Sequence, residues 1–226
     1  MVAFLLIFSL IHPLGQAKFI KVTGVVGKKK LVVYRSDKGV EIERMDAEFR
    51  QVGDTLVVEL HGDRGVVIGG AGALLGLPPL PTKIQLRAKT AEVLLDITNL
   101  PVKTLEIDAK ASFLTIVDDS TSQADTISLI LSLSKLKYIG AGMRKCEKVL
   151  FNFNSSVIKL LFSAPRWQSF EVVSTFSSIG IFGSIPVVRT NGILNFIRGR
   201  KPAHAAFTLN LSGSLNVVKL NTIEGQ

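Results

Sequence analysis

Cysteine is almost absent from this chain of 226 residues, with Cys146 standing alone. No disulfide can form within the chain, so its stability has to come from packing. No histidine lies near Cys146 in sequence to make it a thiolate nucleophile. The three histidines, His12, His61 and His204, are far apart, which argues against a metal centre or a histidine-based catalytic pair. Aromatic residues are 7% of the chain and no recognition module is present, so specific nucleic-acid binding is not expected. Neither a G-x-S-x-G elbow nor an H-E-x-x-H helix occurs. No catalytic residue, metal ligand or cofactor site is therefore expected, and the protein reads as a non-enzyme.

Long apolar runs are also missing beyond the start of the chain, where none approaches the roughly 20 residues that a membrane-spanning helix needs. The opening "MVAFLLIFSLIHPLGQA" is different. It has an apolar core from Val2 to Ile11, Pro13, and small Gly15 and Ala17 ahead of Lys18, which reads as a secretory signal over residues 1–17 although its first positions carry no Lys or Arg. A retained anchor or a buried first strand is the alternative. The C-terminal "NTIEGQ" carries no apolar anchor or lipidation signal.

What the chain has in quantity is β-forming apolar residue: hydrophobic content is 47% and charged content 20%. That is enough for a continuous core. Residues 18–80 predict an antiparallel β cap of four short strands up to His61, followed by an irregular crossover from Gly62 to Pro81. Within the crossover, "VVIGGAGALLG" imitates a dinucleotide-binding turn. Counting from Gly70, the third glycine position falls on Leu75, and "LPPLP" leaves no room for the helix that would hold a phosphate.

From Pro81 the chain repeats. "TKIQLRAKTAEVLLDITN", "KTLEIDAKASFLTIVDDS", "DTISLILSLSKLKYIGAG", "KVLFNFNSSVIKLLFSAP" and "QSFEVVSTFSSIGIFGSI" each hold two strands around a bend of small residues, roughly 21–23 residues apart, and "AFTLNLSGSLNVVKLN" is a shorter last pass. Inward positions recur as Ile84 and Leu86, Leu105 and Ile107, Ile127 and Leu129, Val149 and Phe151, Phe170 and Val172, Phe207 and Leu209. A two-strand coil cannot bury its apolar face alone, but coils stacked about 4.8 Å apart join their rungs into one core. The fold class is therefore all-β, a right-handed β-helix-like solenoid over residues 81–226 with the N-terminal β cap. Gly140 and Gly142 read as a tight corner, since the next regular element is a strand and a third fingerprint glycine would fall on Lys145.

The pattern ending in "GDTLVVEL", the coils with "LSKLKYIGAG" and the closing "FTLNLSGSLNVVKL" resemble the adhesin-like β-solenoid family, which includes auto-transporter adhesin head domains and their DUF4097 relatives. The resemblance spans most of residues 18–220. It implies an exported right-handed β-helix with a cell-surface or envelope role. "NGILNFIRGRKPAHA" breaks the rhythm and departs from that pattern.

Charge completes the reading. The net charge is +9, and from Arg144 to the C-terminus ten basic residues face three acidic ones. A surface bearing Arg144, Lys145, Arg198, Arg200 and Lys201 is the candidate site for an anionic glycan or envelope surface, against the alternative of a merely solvated basic exterior. Self-association through solenoid edges is a second expected partnership. Asn154 and Asn210 fit the N-x-[ST] glycosylation pattern. Asp118, Asp119 and Asp125 lie in the longest inter-coil loop, where turn chemistry explains them better than catalysis does. The expected function is an exported cell-surface adhesin or envelope scaffold. Its alternatives are a carbohydrate-active β-helix enzyme, which a carboxylate-lined groove would favour, and a membrane-tethered regulator of envelope stress.

Overall fold

The computed structural model describes residues 9–28, 30–62, 72–119, 124–140, 148–154, 156–163, 167–175, 178–182, 188–190, 194–200, 205–212 and 217–223. The all-β expectation holds, because every regular element among them is a strand. Two mixed sheets, of ten and eleven strands, contain them all.

Most of both sheets is built from two-strand units, each giving one strand to each sheet. In chain order the units are β2 (Phe19–Gly27) with β3 (Lys30–Arg35), β6 (Thr55–His61) with β7 (Ala73–Leu77), and β8 (Thr82–Lys89) with β9 (Glu92–Asp96). Then come β10 (Val102–Lys110) with β11 (Phe113–Val117), β12 (Thr126–Ser132) with β13 (Lys135–Gly140), and β14 (Lys148–Asn154) with β15 (Val157–Ser163). The last two are β16 (Trp167–Thr175) with β17 (Ser178–Phe182), and β20 (Ala205–Ser212) with β21 (Val217–Ile223). Neighbouring units pair in parallel in both sheets.

The inward rungs lie in register as the repeat requires. Ile84, Leu105, Ile127 and Val149 form one row, and Leu86, Ile107, Leu129 and Phe151 form the next. The side chains of the first three members of each row are buried, each removing apolar surface worth about 1.5–3 kcal/mol from water. The rows continue into Phe207 and Leu209, and only then into Phe170 and Val172. The last unit in sequence thus sits between β14–β15 and β16–β17, one place earlier than chain order predicts. Each rung pair is apolar and fits either place, so strand pattern alone could not choose between them.

The N-terminal segment corrects another expectation, for β2 and β3 are not part of a separate antiparallel cap. Strand β2 pairs in parallel with β6 and β8, and β3 with β7 and β9. The reason is burial: Val22 aligns with Ile84 and Val26 with Ala88, so β2 extends the interior rows. Antiparallel pairing is confined to the ends, where β1 (Ser9–His12), β4 (Val40–Glu43), β5 (Ala47–Val52), β18 (Val188–Thr190) and β19 (Leu194–Arg200) lie. Strand β1 falls inside the segment expected to be a signal, and pairs with β4 at the edge of the ten-stranded sheet. The crossover predicted to be irregular contains β7, whose Ala73, Leu75 and Leu77 are buried. Its glycine and neighbouring prolines hid it; Gly76 is required there because a Cβ would press on Ser36 and the Tyr34 ring.

In β8–β9, β10–β11 and β12–β13 the bend between the two strands is made without glycine. Thr90, Ala111 and Leu133 hold left-handed φ values of 53°, 49° and 51°. Each donates its N–H to the unit beyond, to the carbonyls of Lys110, Ser132 and Asn154 respectively. Directly after them come Ala91, Ser112 and Ser134, which form a buried ladder with Ser156. The Ser112, Ser134 and Ser156 hydroxyls accept from the N–H groups of Ala91, Ser112 and Ser134 at 3.1–3.2 Å. They donate in turn to the carbonyls of Lys110, Ser132 and Asn154 at 2.8–2.9 Å.

Replacing Ser134 by Ala should therefore lower unfolding free energy by about 1–3 kcal/mol, because the buried Ser112 N–H loses its acceptor. Leu133→Gly should act in the opposite direction, relieving about 1 kcal/mol of left-handed strain. Urea melts of the two variants test this, and equal midpoints would contradict the account of the corner.

Candidate functional site

The outer face of the eleven-stranded sheet carries a groove of about 520 Å³ across β6, β2, β8, β10 and β12. It begins at a bend. Gly24 holds φ 135°, and a Cβ there would collide with the backbone of Leu60, so only glycine lets β2 lie this close to β6. Strand alternation then brings two outward rows together. One runs Glu59, Thr23, Gln85, Glu106, Ser128, and the other His61, Val25, Arg87, Asp108, Ile130.

Within the first row, Glu106 is held by two neighbours. The Lys83 ammonium lies 3.5 Å from its Oε1, and the Gln85 amide donates to its Oε2. Glu59, Arg87 and Asp108 are exposed, and Ile130 is 46% exposed. Polar donors and acceptors flanking Val25 and Ile130 suit a ligand with hydroxyls on its edges and an apolar face, as a sugar ring has. Glu59 and Glu106 stand three strand spacings apart, about 14 Å. That exceeds the separation of roughly 5–9.5 Å at which paired glycosidase carboxylates work. Glu106 and Asp108 are closer, two residues apart on β10.

The aspartates singled out in the sequence lie elsewhere. Asp118 is buried and accepts a hydrogen bond from the Tyr138 hydroxyl, itself fully buried. Its backbone N–H donates to Ile139, and a Cβ on Gly140 would run into it. Gly140 thus closes the end of β13 against the preceding unit, while Gly142 lies outside the described residues. Asp119 is half-buried and Asp125 exposed.

Of the basic candidates, Arg198 and Arg200 are alternate residues of β19, opposite Glu171 and Ser169 of β16. Arg144, Lys145 and Lys201 lie outside the described residues, as do Cys146 and His204. Asn154 is exposed at the end of β14, but the sequon's Ser156 is buried with its hydroxyl on the Asn154 carbonyl. Asn210 pairs in register with Asn152 and Val173 in mid-sheet. The groove was missed because its residues come from strands remote in sequence. Its one sequence trace is the recurrence of Gln85, Glu106 and Ser128 between inward rungs.

No family model matches the chain, and no curated protein does. The structure is similar to a putative cell adhesion protein from Clostridium sporogenes, with a TM-score of 0.55 and 9% identity over 96% of this chain and 99% of that one. At that identity the likeness shows a shared all-β fold.

Tyr34, on β3 in the ten-stranded sheet, reports on the packing of that sheet. Burial, then its 2.7 Å hydrogen bond to Glu41 and the charges of Glu41 and Glu43, push its pKa up to about 12. A raised pKa means that folding favours the neutral phenol. Its contribution is whole below the unfolded value near pH 10 and is lost as pH climbs through 12. Stability measured across that window should fall less steeply in Tyr34→Phe than in the parent.

Proposed function

We propose that the two sheets are faces of a β-solenoid, and that the protein is an exported, non-enzymatic, adhesin-like scaffold of the cell surface. The observation that carries this reading is the parallel ladder in both sheets, repeating every 21 or 22 residues at the serine corners. Such a stack is rigid and puts every second side chain on an outer face, where sequence is free to serve binding. The likeness to a putative cell adhesion protein over nearly the whole chain supports the same role.

In this reading the basic residues Arg144, Lys145, Arg198, Arg200 and Lys201 meet an anionic glycan or envelope polymer. Such attraction is screened by salt, since the Debye length shrinks from about 10 Å at 0.1 M to about 3 Å at 1 M. Fractionation of native cells should place the protein on the surface with a mature start near Lys18, leaving the stack intact because β1 is an edge strand. Purified protein should bind envelope material at low salt, and Arg198→Glu, Arg200→Glu and Lys201→Glu together should weaken that binding with little change in melting temperature. Intact Met1 in a cytosolic protein would refute export. Unchanged binding by the triple variant would remove the basic site.

A carbohydrate-active enzyme is the second reading, favoured by Glu106 and Asp108 in the groove. Release of reducing ends from a polysaccharide, abolished by Asp108→Asn, would establish it over the scaffold.

A further inference from the structure

The corner between the two sheets carries a second, independent surface. Position by position it reads Lys28, Thr90, Ala111, Leu133 at the left-handed residue, with Lys89 and Lys110 before it and Lys30, Glu92, Phe113, Lys135 after it. All of these are exposed. Five are lysines, and the single acid, Glu92, is taken by Lys30 at 3.0 Å. Lys28, Lys89, Lys110 and Lys135 form no ion pair with a described residue.

Two features of this ridge oppose the economy of a purely solvated edge. Lys89 and Lys110 are direct partners in adjacent parallel strands, an arrangement in which like charges about 4.8 Å apart repel. Phe113 and Leu133, at 61% and 66%, are the most exposed large apolar side chains among the residues whose exposure is described, and both lie on this ridge. Phe113 is the direct partner of Lys135, and Leu133 is two residues before it. In the ten-stranded sheet, Lys137, Lys159 and Lys219 occupy one register row.

We propose that this ridge docks on an anionic lipid surface, with the lysines at the headgroups and Phe113 and Leu133 in the acyl boundary. A soluble polyanion would satisfy the charges but would leave both apolar side chains in water, whereas a bilayer accepts both. The corners suit the task because the serine ladder fixes the spacing of the lysines before any lipid is met, so little order has to be gained on docking. None of Arg144, Lys145, Arg198, Arg200 or Lys201 takes part, so this surface can fail while the glycan reading stands, and the reverse.

The test is flotation of the full chain with vesicles of phosphatidylcholine alone, or of phosphatidylcholine mixed with phosphatidylglycerol. The parent should float with the mixed vesicles only. Lys89→Glu with Lys110→Glu should weaken binding by about tenfold or more. Phe113→Thr with Leu133→Asn should weaken it by a similar factor while leaving binding to dextran sulfate unchanged. Asn is chosen because it accepts the left-handed φ of that corner. In a second measurement, Phe113→Trp should bind and its added emission should shift to the blue on the mixed vesicles. Failure of the parent to float, an apolar double variant that floats as well as the parent, or a tryptophan that stays in water would each overturn the proposal, the second of these marking the ridge as a polyanion site.

Discussion

The structure depends on one hydrogen-bonded corner. A strand can be stacked on a strand indefinitely, but two sheets remain in step only if the chain passes between them by the same path in every unit. At β10–β11 and β12–β13 that path is a left-handed residue followed by a buried serine whose hydroxyl serves two units at once, accepting from the one behind and donating within its own, and β8–β9 takes the same turn with Ala91 in the serine's place. A buried N–H at such a bend has no strand partner, and leaving it unpaired would cost more than a neutral hydrogen bond ordinarily contributes. The serine removes that cost, and the apolar rows Ile84 to Val149 and Leu86 to Phe151 then fall into line.

Much of this was legible because two periods coincide in the sequence. Alternation within strands marked Leu105, Ile107, Ile127 and Leu129 as inward, and the longer repeat aligned them. What could not be read is anything that depends on the order of stacking. Phe207 and Phe170 are both suitable neighbours for Val149, and the choice is made by pairing across the whole molecule. The corner residues were invisible for another reason: Thr90, Ala111 and Leu133 are not residues that announce positive φ. The groove was hidden by chain order, since Glu59, Thr23, Gln85 and Glu106 become neighbours only after β2 has been placed between β6 and β8. Asp118 also departed from its expected setting, exchanging a solvated loop for a buried partnership with Tyr138.

Once the interior is fixed by rungs and serines, the outer faces are released from structural duty. The groove and the lysine ridge exploit this differently. The groove gathers side chains from strands distant in sequence, which suits a compact polar ligand. The ridge uses linear repetition, one or two lysines per unit, which suits a broad charged layer. The two adjoin, since Arg87 and Asp108 of the groove stand two residues before Lys89 and Lys110 of the ridge on the same strands.

The placement of β20–β21 bears on synthesis. These strands sit between β14–β15 and β16–β17 in both sheets, yet they are made after β16–β17. During translation the position beside β14–β15 has no permanent occupant until residues 205–223 have emerged. Until then a growing chain that has folded its earlier units holds parallel edges open on both sheets, and such edges invite pairing with other strands.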